Sequence, residues 1–173
     1  MMARLIRKIA LALGAGALFA ASPAAFPVDA VTVELGRGED NTNLLRVAIV
    51  DNWRKQQDRN PPEWRLAGYW ELSAALWDNR EESTADVGFA PVFRIVRRSL
   101  YLEAALGFHL VQARISADRT FSTAFQFAEH IGAGLVGRKY IIGFHVQHLS
   151  NGGIDEPNPG INFGILRLQY ELE

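Results

Sequence analysis

The chain has 173 residues, with 18 Lys and Arg against 19 Asp and Glu, a formal net charge of -1. It is 49% hydrophobic and has no cysteine. This length predicts one domain, and the apolar content excludes a disordered chain. The balanced charge gives no electrostatic reason to expect a nucleic-acid partner. Without cysteine, a disulfide scaffold, a thiolate metal site and a cysteine nucleophile are all excluded.

The N-terminal segment is typical of a secretory signal peptide. Basic residues within the first eight positions precede a run of apolar and small residues over positions 9–21. That run is too short to cross a bilayer as a helix. Cleavage is expected after Ala30, with the small residues at 22–25 as a second position. We therefore expect residues 1–30 to be the signal and 31–173 the mature domain, exported in a Gram-negative bacterium. A retained N-terminal anchor is the alternative.

The mature chain reads as strands without sustained helical periodicity. One face of these segments is large and apolar, whereas the other mixes small, polar and charged residues. A soluble barrel turns its apolar face inward and a membrane barrel turns it toward lipid. The export signal and the even strand count favour an eight-stranded antiparallel up-and-down transmembrane β-barrel, too narrow for a pore. The eight predicted strands are 31–35, 44–50, 66–77, 85–95, 100–114, 124–136, 140–149 and 161–172.

Strand count also predicts the topology. With both termini in the periplasm, residues 36–43, 78–84, 115–123 and 150–160 form outer loops, and residues 96–99 and 137–139 form short periplasmic turns. The connection over residues 51–65 is longer than a periplasmic turn should be and fits this topology worst. The four tryptophans flank strands two and three, at Trp53, Trp64, Trp70 and Trp77, where interfacial aromatic girdles would lie. The equal alternative is that tryptophans are simply common in β-proteins.

Candidate chemistry lies at the end of the seventh strand. His148 and Ser150 are two residues apart, so both side chains point to one face, which by the alternation is the lipid face. An imidazole and a hydroxyl are costly there unless His148 activates Ser150 as a nucleophile toward a lipid acyl ester. Asn162 shares this face in the next strand and would hold the histidine tautomer. The topology places the three at the outer leaflet. A surface loop anchored by Asn, Pro and Gly turns is the alternative.

Residues 148–161, HLSNGGIDEPNPGI, resemble the signature of the lipid A 3-O-deacylases, the PagL family of outer-membrane barrels. Shorter stretches at 65–70, 89–93 and 131–135 are similar as well. The resemblance implies an enzyme that removes the 3-linked acyl chain of lipid A without a metal or another cofactor. It implies His148 as general base and Ser150 as nucleophile. It also implies that Asn158 helps form the oxyanion hole and that Asn151 has a supporting role.

One departure from the family pattern lies at Asn162, where characterised members carry an acidic residue. An amide orients a histidine but stabilises an imidazolium less than a carboxylate does, and an Asp→Asn change in a triad costs roughly 10⁴ in rate. Asp155 or Glu156 would be substitutes from the loop. The chain is therefore expected to work with a weaker His–Asn pair or to be a slow or inactive homologue.

Two other classes of function remain open at this point. One is a non-enzymatic small barrel for adhesion or envelope structure, and the other is a soluble periplasmic barrel that binds an apolar ligand. The expected partners are lipid A and outer-membrane lipids, with a homodimer possible. No metal site is expected because the sequence has no closely spaced set of metal ligands. The three residues Glu103, Glu129 and His130 would cluster in the lumen or simply form hydrogen bonds there. For the lipid A phosphates, the candidates near the outer loops are Arg80, Arg114 and Arg119.

Overall fold

The computed structural model describes residues 27–53, 63–79, 83–112 and 120–172. Within these ranges no helix is long and apolar enough to cross a bilayer. A single 3-10 turn, Glu39–Asn41, separates the first two strands. The strands are β1 Ala30–Gly38, β2 Asn43–Asn52, β3 Arg65–Asp78, β4 Ser83–Arg97, β5 Leu100–Val111, β6 Phe125–Val136, β7 Tyr140–Ser150 and β8 Ile161–Glu171.

The strands form a closed antiparallel barrel in chain order, in which β1 pairs with both β2 and β8. The predicted eight-stranded up-and-down fold is confirmed, and each predicted strand coincides with one that the structure has. We call the end that carries Ala30 and Glu171 the terminal end. The opposite end, where β1–β2, β3–β4, β5–β6 and β7–β8 connect, is the loop end.

Apolar side chains point out of the barrel and polar ones point into it. On β1, Val33 and Leu35 are exposed on the outside, whereas Thr32 and Glu34 are almost completely buried inside. The same alternation runs along β5, whose burial changes at every residue. Because strand side chains alternate between faces, a closed sheet with this pattern presents its apolar band to lipid. Closure also leaves no unpaired strand edge in that environment.

A network of ion pairs and apolar packing fills the lumen. Arg167 lies at its centre, fully buried, with Nε 2.8 Å from Glu34 Oε1 and with Glu71 as a second carboxylate partner. Arg94 Nη2 lies 2.7 Å from Glu103 Oε2. Opposite charges therefore compensate one another inside the barrel. Toward the loop end a layer of buried apolar residues closes the lumen: Leu44, Trp77, Val111, Phe121, Leu149, Ile161, Phe163 and Ile165.

The interfacial position predicted for Trp77 is wrong. Its side chain is 1% exposed and packs inside the lumen against Phe163, with ring centroids 5.1 Å apart. Trp77 shares the inward parity of β3, and an aromatic side chain of this size fills the narrow interior. Outside the barrel, Trp53 covers Gly68 and contacts Trp70, with centroids 5.6 Å apart.

Several predicted features lie outside the described residues. They are residues 1–26 of the expected signal, most of the 51–65 connection, and Arg80, Arg114 and Arg119. The N-terminal processing site therefore stays a prediction. Asp29 already takes part in the barrel, since its N–H donates to Val50 O at 2.8 Å and its carboxylate accepts Asn52 N–H at 2.9 Å. Cleavage at residues 22–25 would preserve these contacts, whereas cleavage after Ala30 would remove them.

Candidate active site on the outer wall of the barrel

The predicted residues His148 and Ser150 lie in the last three positions of β7, next to the loop end. Both are half-buried, between fully buried Gln147, Leu149 and Asn151, so both side chains point out of the barrel. Asn162, on β8, is exposed on the same outer wall and is the register partner of His148. The alternation that encodes the barrel thus brings the three side chains together on its outside.

His148 and Asn162 are joined by a hydrogen bond. The distance from His148 Nδ1 to Asn162 Oδ1 is 2.8 Å. An amide oxygen only accepts hydrogen bonds, so Nδ1 must carry the hydrogen and Nε2 holds the free lone pair. The free nitrogen is the one that would act as a base. Among the described side chains, no hydrogen bond links the imidazole to Ser150.

Asn162 is hydrogen-bonded to a carboxylate, Glu39, that the sequence did not indicate. The amide Nδ2 of Asn162 donates to Glu39 Oε1 at 2.9 Å. Glu39 begins the 3-10 turn after β1, and Gly38 pairs with Phe163 across the β1–β8 seam. A hydrogen bond across 123 positions depends on barrel closure, and no local pattern in the sequence signals it.

The loop after β7 is organised by Asn151, which is completely buried. Its Nδ2 donates to Ser122 Oγ at 2.9 Å and to Asp155 O at 2.6 Å, and its Oδ1 accepts Gly153 N–H at 2.8 Å. These bonds tie residues 151–155 to the β5–β6 connection. Asn151 therefore lies beneath the loop as a structural support, and Ser122 is a partner that the sequence did not predict.

Asn158 lies in the same loop and is half-buried. Its Oδ1 accepts the Asn151 backbone N–H at 3.0 Å, and its own N–H donates to Glu156 Oε2 at 2.9 Å. With Oδ1 occupied, the Nδ2 group is the part of this side chain that can donate to a ligand. Asp155 and Glu156, the expected substitutes for an acidic triad residue, hydrogen-bond within the loop instead.

Gly160 packs directly on the histidine ring. Its φ is +56°, and a Cβ built there would lie 2.9 Å from His148 Cε1 and 3.1 Å from Leu149 O. Both the left-handed backbone and the close approach require glycine. The loop therefore returns to β8 across the edge of the imidazole.

A second group of titratable residues lies inside the lumen. Ligand atoms of Glu103, His130 and His145 all lie within 4.8 Å of one another. The two imidazoles are stacked at 4.7 Å with an interplanar angle of 15°, so their in-plane lone pairs run side by side and do not converge. Glu103 is also paired with Arg94. The group belongs to the ion-pair network. Glu129, expected in the lumen, is exposed on the outer face as the register partner of His148.

Comparisons with known proteins show which family the chain resembles. A model of the lipid A 3-O-deacylase (PagL) family matches residues 45–171. The chain is 36% identical over 111 residues to the lipid A deacylase PagL of Bordetella bronchiseptica, covering 61% of this chain and 59% of that protein. It is 31% identical over 138 residues to the lipid A deacylase PagL of Pseudomonas aeruginosa, covering 76% of this chain and 79% of that protein.

Solved structures extend the comparison to the fold. The crystal structure of the outer membrane enzyme PagL superposes with a TM-score of 0.73 at 26% identity, covering 83% of this chain and 99% of that one. A de novo designed transmembrane β-barrel matches with a TM-score of 0.51 at 13% identity, which supports the fold alone.

The closed barrel and its superposition on an outer-membrane enzyme place the chain in the class of small outer-membrane β-barrel enzymes. The family follows from the match over most of the chain: the protein belongs to the lipid A 3-O-deacylase (PagL) family of ester hydrolases.

Proposed function

We propose that the chain hydrolyses the 3-O-linked acyl ester of lipid A at the outer leaflet, with Ser150 as nucleophile and His148 as general base. The observation that carries this proposal is the Nδ1 hydrogen bond from His148 to Asn162, which leaves Nε2 available on the outer wall beside Ser150. An outward-facing base is reached by a substrate from the bilayer, not by a soluble one from the lumen. Family membership supplies lipid A as the substrate.

In the proposed reaction, Ser150 Oγ attacks the acyl carbonyl carbon while His148 Nε2 accepts the hydroxyl proton. The tetrahedral intermediate collapses, the 3-oxygen of the sugar leaves with that proton, and an acyl-enzyme remains. Water then attacks the acyl carbon while His148 Nε2 accepts its proton. The bond from Ser150 Oγ to the acyl carbon breaks, Oγ receives that proton, and the fatty acid leaves. Side chains two apart on a strand start about 6.5–7 Å apart at Cα, so we expect Ser150 to change rotamer and bring Oγ to Nε2 while His148 keeps its hydrogen bond to Asn162.

Asn158 is the proposed side-chain donor to the oxyanion. Its Oδ1 is held by the Asn151 backbone N–H, which leaves Nδ2 to donate to a developing negative charge. A donor that is already fixed before the reaction stabilises that charge without reorganisation. Asn151 would act through this bond and the loop, not by contact with the substrate.

Mass spectrometry of lipid A from a Gram-negative host that expresses the full chain tests the proposal. We expect one acyl chain to be lost, and the loss to disappear with Ser150→Ala and with His148→Ala. Ser73→Ala is the matched control, since it removes a hydroxyl that is 6% exposed inside the lumen. Unchanged lipid A with a folded, membrane-inserted barrel would overturn the proposal and favour a structural or adhesive role. Recovery in the soluble periplasmic fraction would favour a ligand-binding barrel.

A further inference from the structure

We infer that Glu39 is a positioning residue for the reaction, acting on His148 through Asn162. This inference rests on the proposed function, because it assigns Glu39 a part in setting the tautomer of the proposed base. Glu39 touches neither the imidazole nor the substrate in this scheme.

The first argument comes from the contact between the strands. Glu39 Oε1 accepts the Nδ2–H of Asn162 at 2.9 Å, and Asn162 Oδ1 accepts Nδ1–H of His148 at 2.8 Å. Gly38 makes this approach possible, since a Cβ there would lie 2.6 Å from the Phe163 ring and 3.0 Å from Asn162 O. The three side chains therefore form a continuous chain of hydrogen bonds across β7, β8 and the turn after β1.

The second argument concerns the orientation of the amide. A carboxylate accepts hydrogen bonds and cannot donate them, so Glu39 requires the Nδ2 end of Asn162 to face it. The Oδ1 end then faces His148 and requires a hydrogen on Nδ1. A reversed amide would offer a donor to Nδ1, move the ring hydrogen to Nε2, and leave the imidazole unable to accept the serine proton. Glu39 thereby selects the tautomer that the reaction needs.

The third argument is electrostatic. The negative charge of Glu39 polarises the amide, which makes Oδ1 a better acceptor and favours the imidazolium that forms during the reaction. Glu129, on β6, is a second carboxylate to consider, because it is the register partner of His148. It is the competing source of such an effect and is therefore included in the test.

The test is a double-mutant cycle on the full chain in detergent micelles with lipid A as substrate. Glu39→Gln should lower kcat roughly tenfold and change KM by less than about twofold, because a charged acceptor is lost without a substrate contact. Asp40→Asn is the matched control, since it removes a charge from the same turn and its φ of 53° suits asparagine. It should leave kcat unchanged.

The second arm of the cycle separates a positioning role from a structural one. Asn162→Asp places a carboxylate directly against His148 but also beside Glu39, so the two negative charges repel. In that background Glu39→Gln should raise kcat. If Glu39 only held the turn in place, the loss would be the same in both backgrounds, and that result would overturn the inference. A loss with Glu129→Gln but not with Glu39→Gln would overturn it as well.

A direct readout of the tautomer keeps this inference separate from the proposed function. In Ser150→Ala, ¹⁵N chemical shifts of His148, assigned with His148→Gln, should show the Nδ1–H form, and Glu39→Gln should reduce its population. This outcome stands even if the wild-type chain leaves lipid A intact, which would refute the proposed function alone. An active wild type whose His148 shifts are unchanged by Glu39→Gln would refute the role of Glu39 alone.

Discussion

Substitution of Gly160 by alanine tests whether the loop controls the histidine. The left-handed φ of +56° costs an alanine about 1 kcal/mol of folding stability. In addition, the new Cβ would lie 2.9 Å from His148 Cε1, closer than side-chain carbons pack. The ring end of a side chain gives way more readily than backbone does, so His148 should move by several tenths of an ångström. A displacement approaching 1 Å at a reacting group costs about 10²-fold in rate.

Gly153→Ala is the matched control in the same loop. Gly153 also has a positive φ, of +80°, but nothing lies within 4 Å of a Cβ built there. Both variants should lose stability in urea unfolding, and Gly160→Ala should lose more because of its close contacts, whereas only Gly160→Ala should lose kcat in lipid A deacylation, by up to about 10²-fold. Equal losses of kcat in the two variants, or full activity in Gly160→Ala, would show that loop contact does not control His148.

Three further variants probe the oxyanion donor, the loop support and the lumen. Asn158→Ala should lower kcat by about 10²–10³ with little change in KM, as measured with purified barrel, because it removes a donor to the oxyanion. Asn151→Asp keeps the shape of that side chain but replaces the Nδ2 donor; we expect faster proteolysis of the loop and lower activity. Arg167→Ala should cost about 3–5 kcal/mol in urea unfolding, since it removes the buried cation that faces Glu34 and Glu71. Arg97→Ala, which breaks an exposed pair with Glu63, should cost less than about 1 kcal/mol.

Alternation along the strands made the fold and the central part of the site predictable. In β7 and β8 the period of two places His148 and Asn162 on one face, and the structure joins them by a hydrogen bond. For Trp77, alternation along the strand and nearness to the strand end give opposite predictions. Counting from Tyr69 along β3 assigns Trp77 to the lumen, whereas its position near a strand end favours the interface; the structure has Trp77 in the lumen.

The supporting contacts could not be predicted because they depend on closure and on loop packing. Glu39 reaches Asn162 only when β1 pairs with β8, and neither strand carries a local signal for that register. Asn151 was expected to have a supporting role, but its partner Ser122 lies 29 positions away in a different connection. Such contacts come from three-dimensional proximity of loop ends, which residue type and spacing do not encode.

Inward-facing residues stabilise the barrel, whereas the candidate site is formed by outward-facing residues. Inside, charged residues such as Arg167 and Glu34 compensate one another, and this rigid interior fixes the strands that carry the site. Outside, polar groups gather where β7, β8 and the end of β1 meet. The β8–β1 seam is the one that closes the barrel, since it joins the last strand to the first. An open sheet would leave Asn162 without Glu39, so the site is completed by the same step that removes the last exposed strand edges from the membrane.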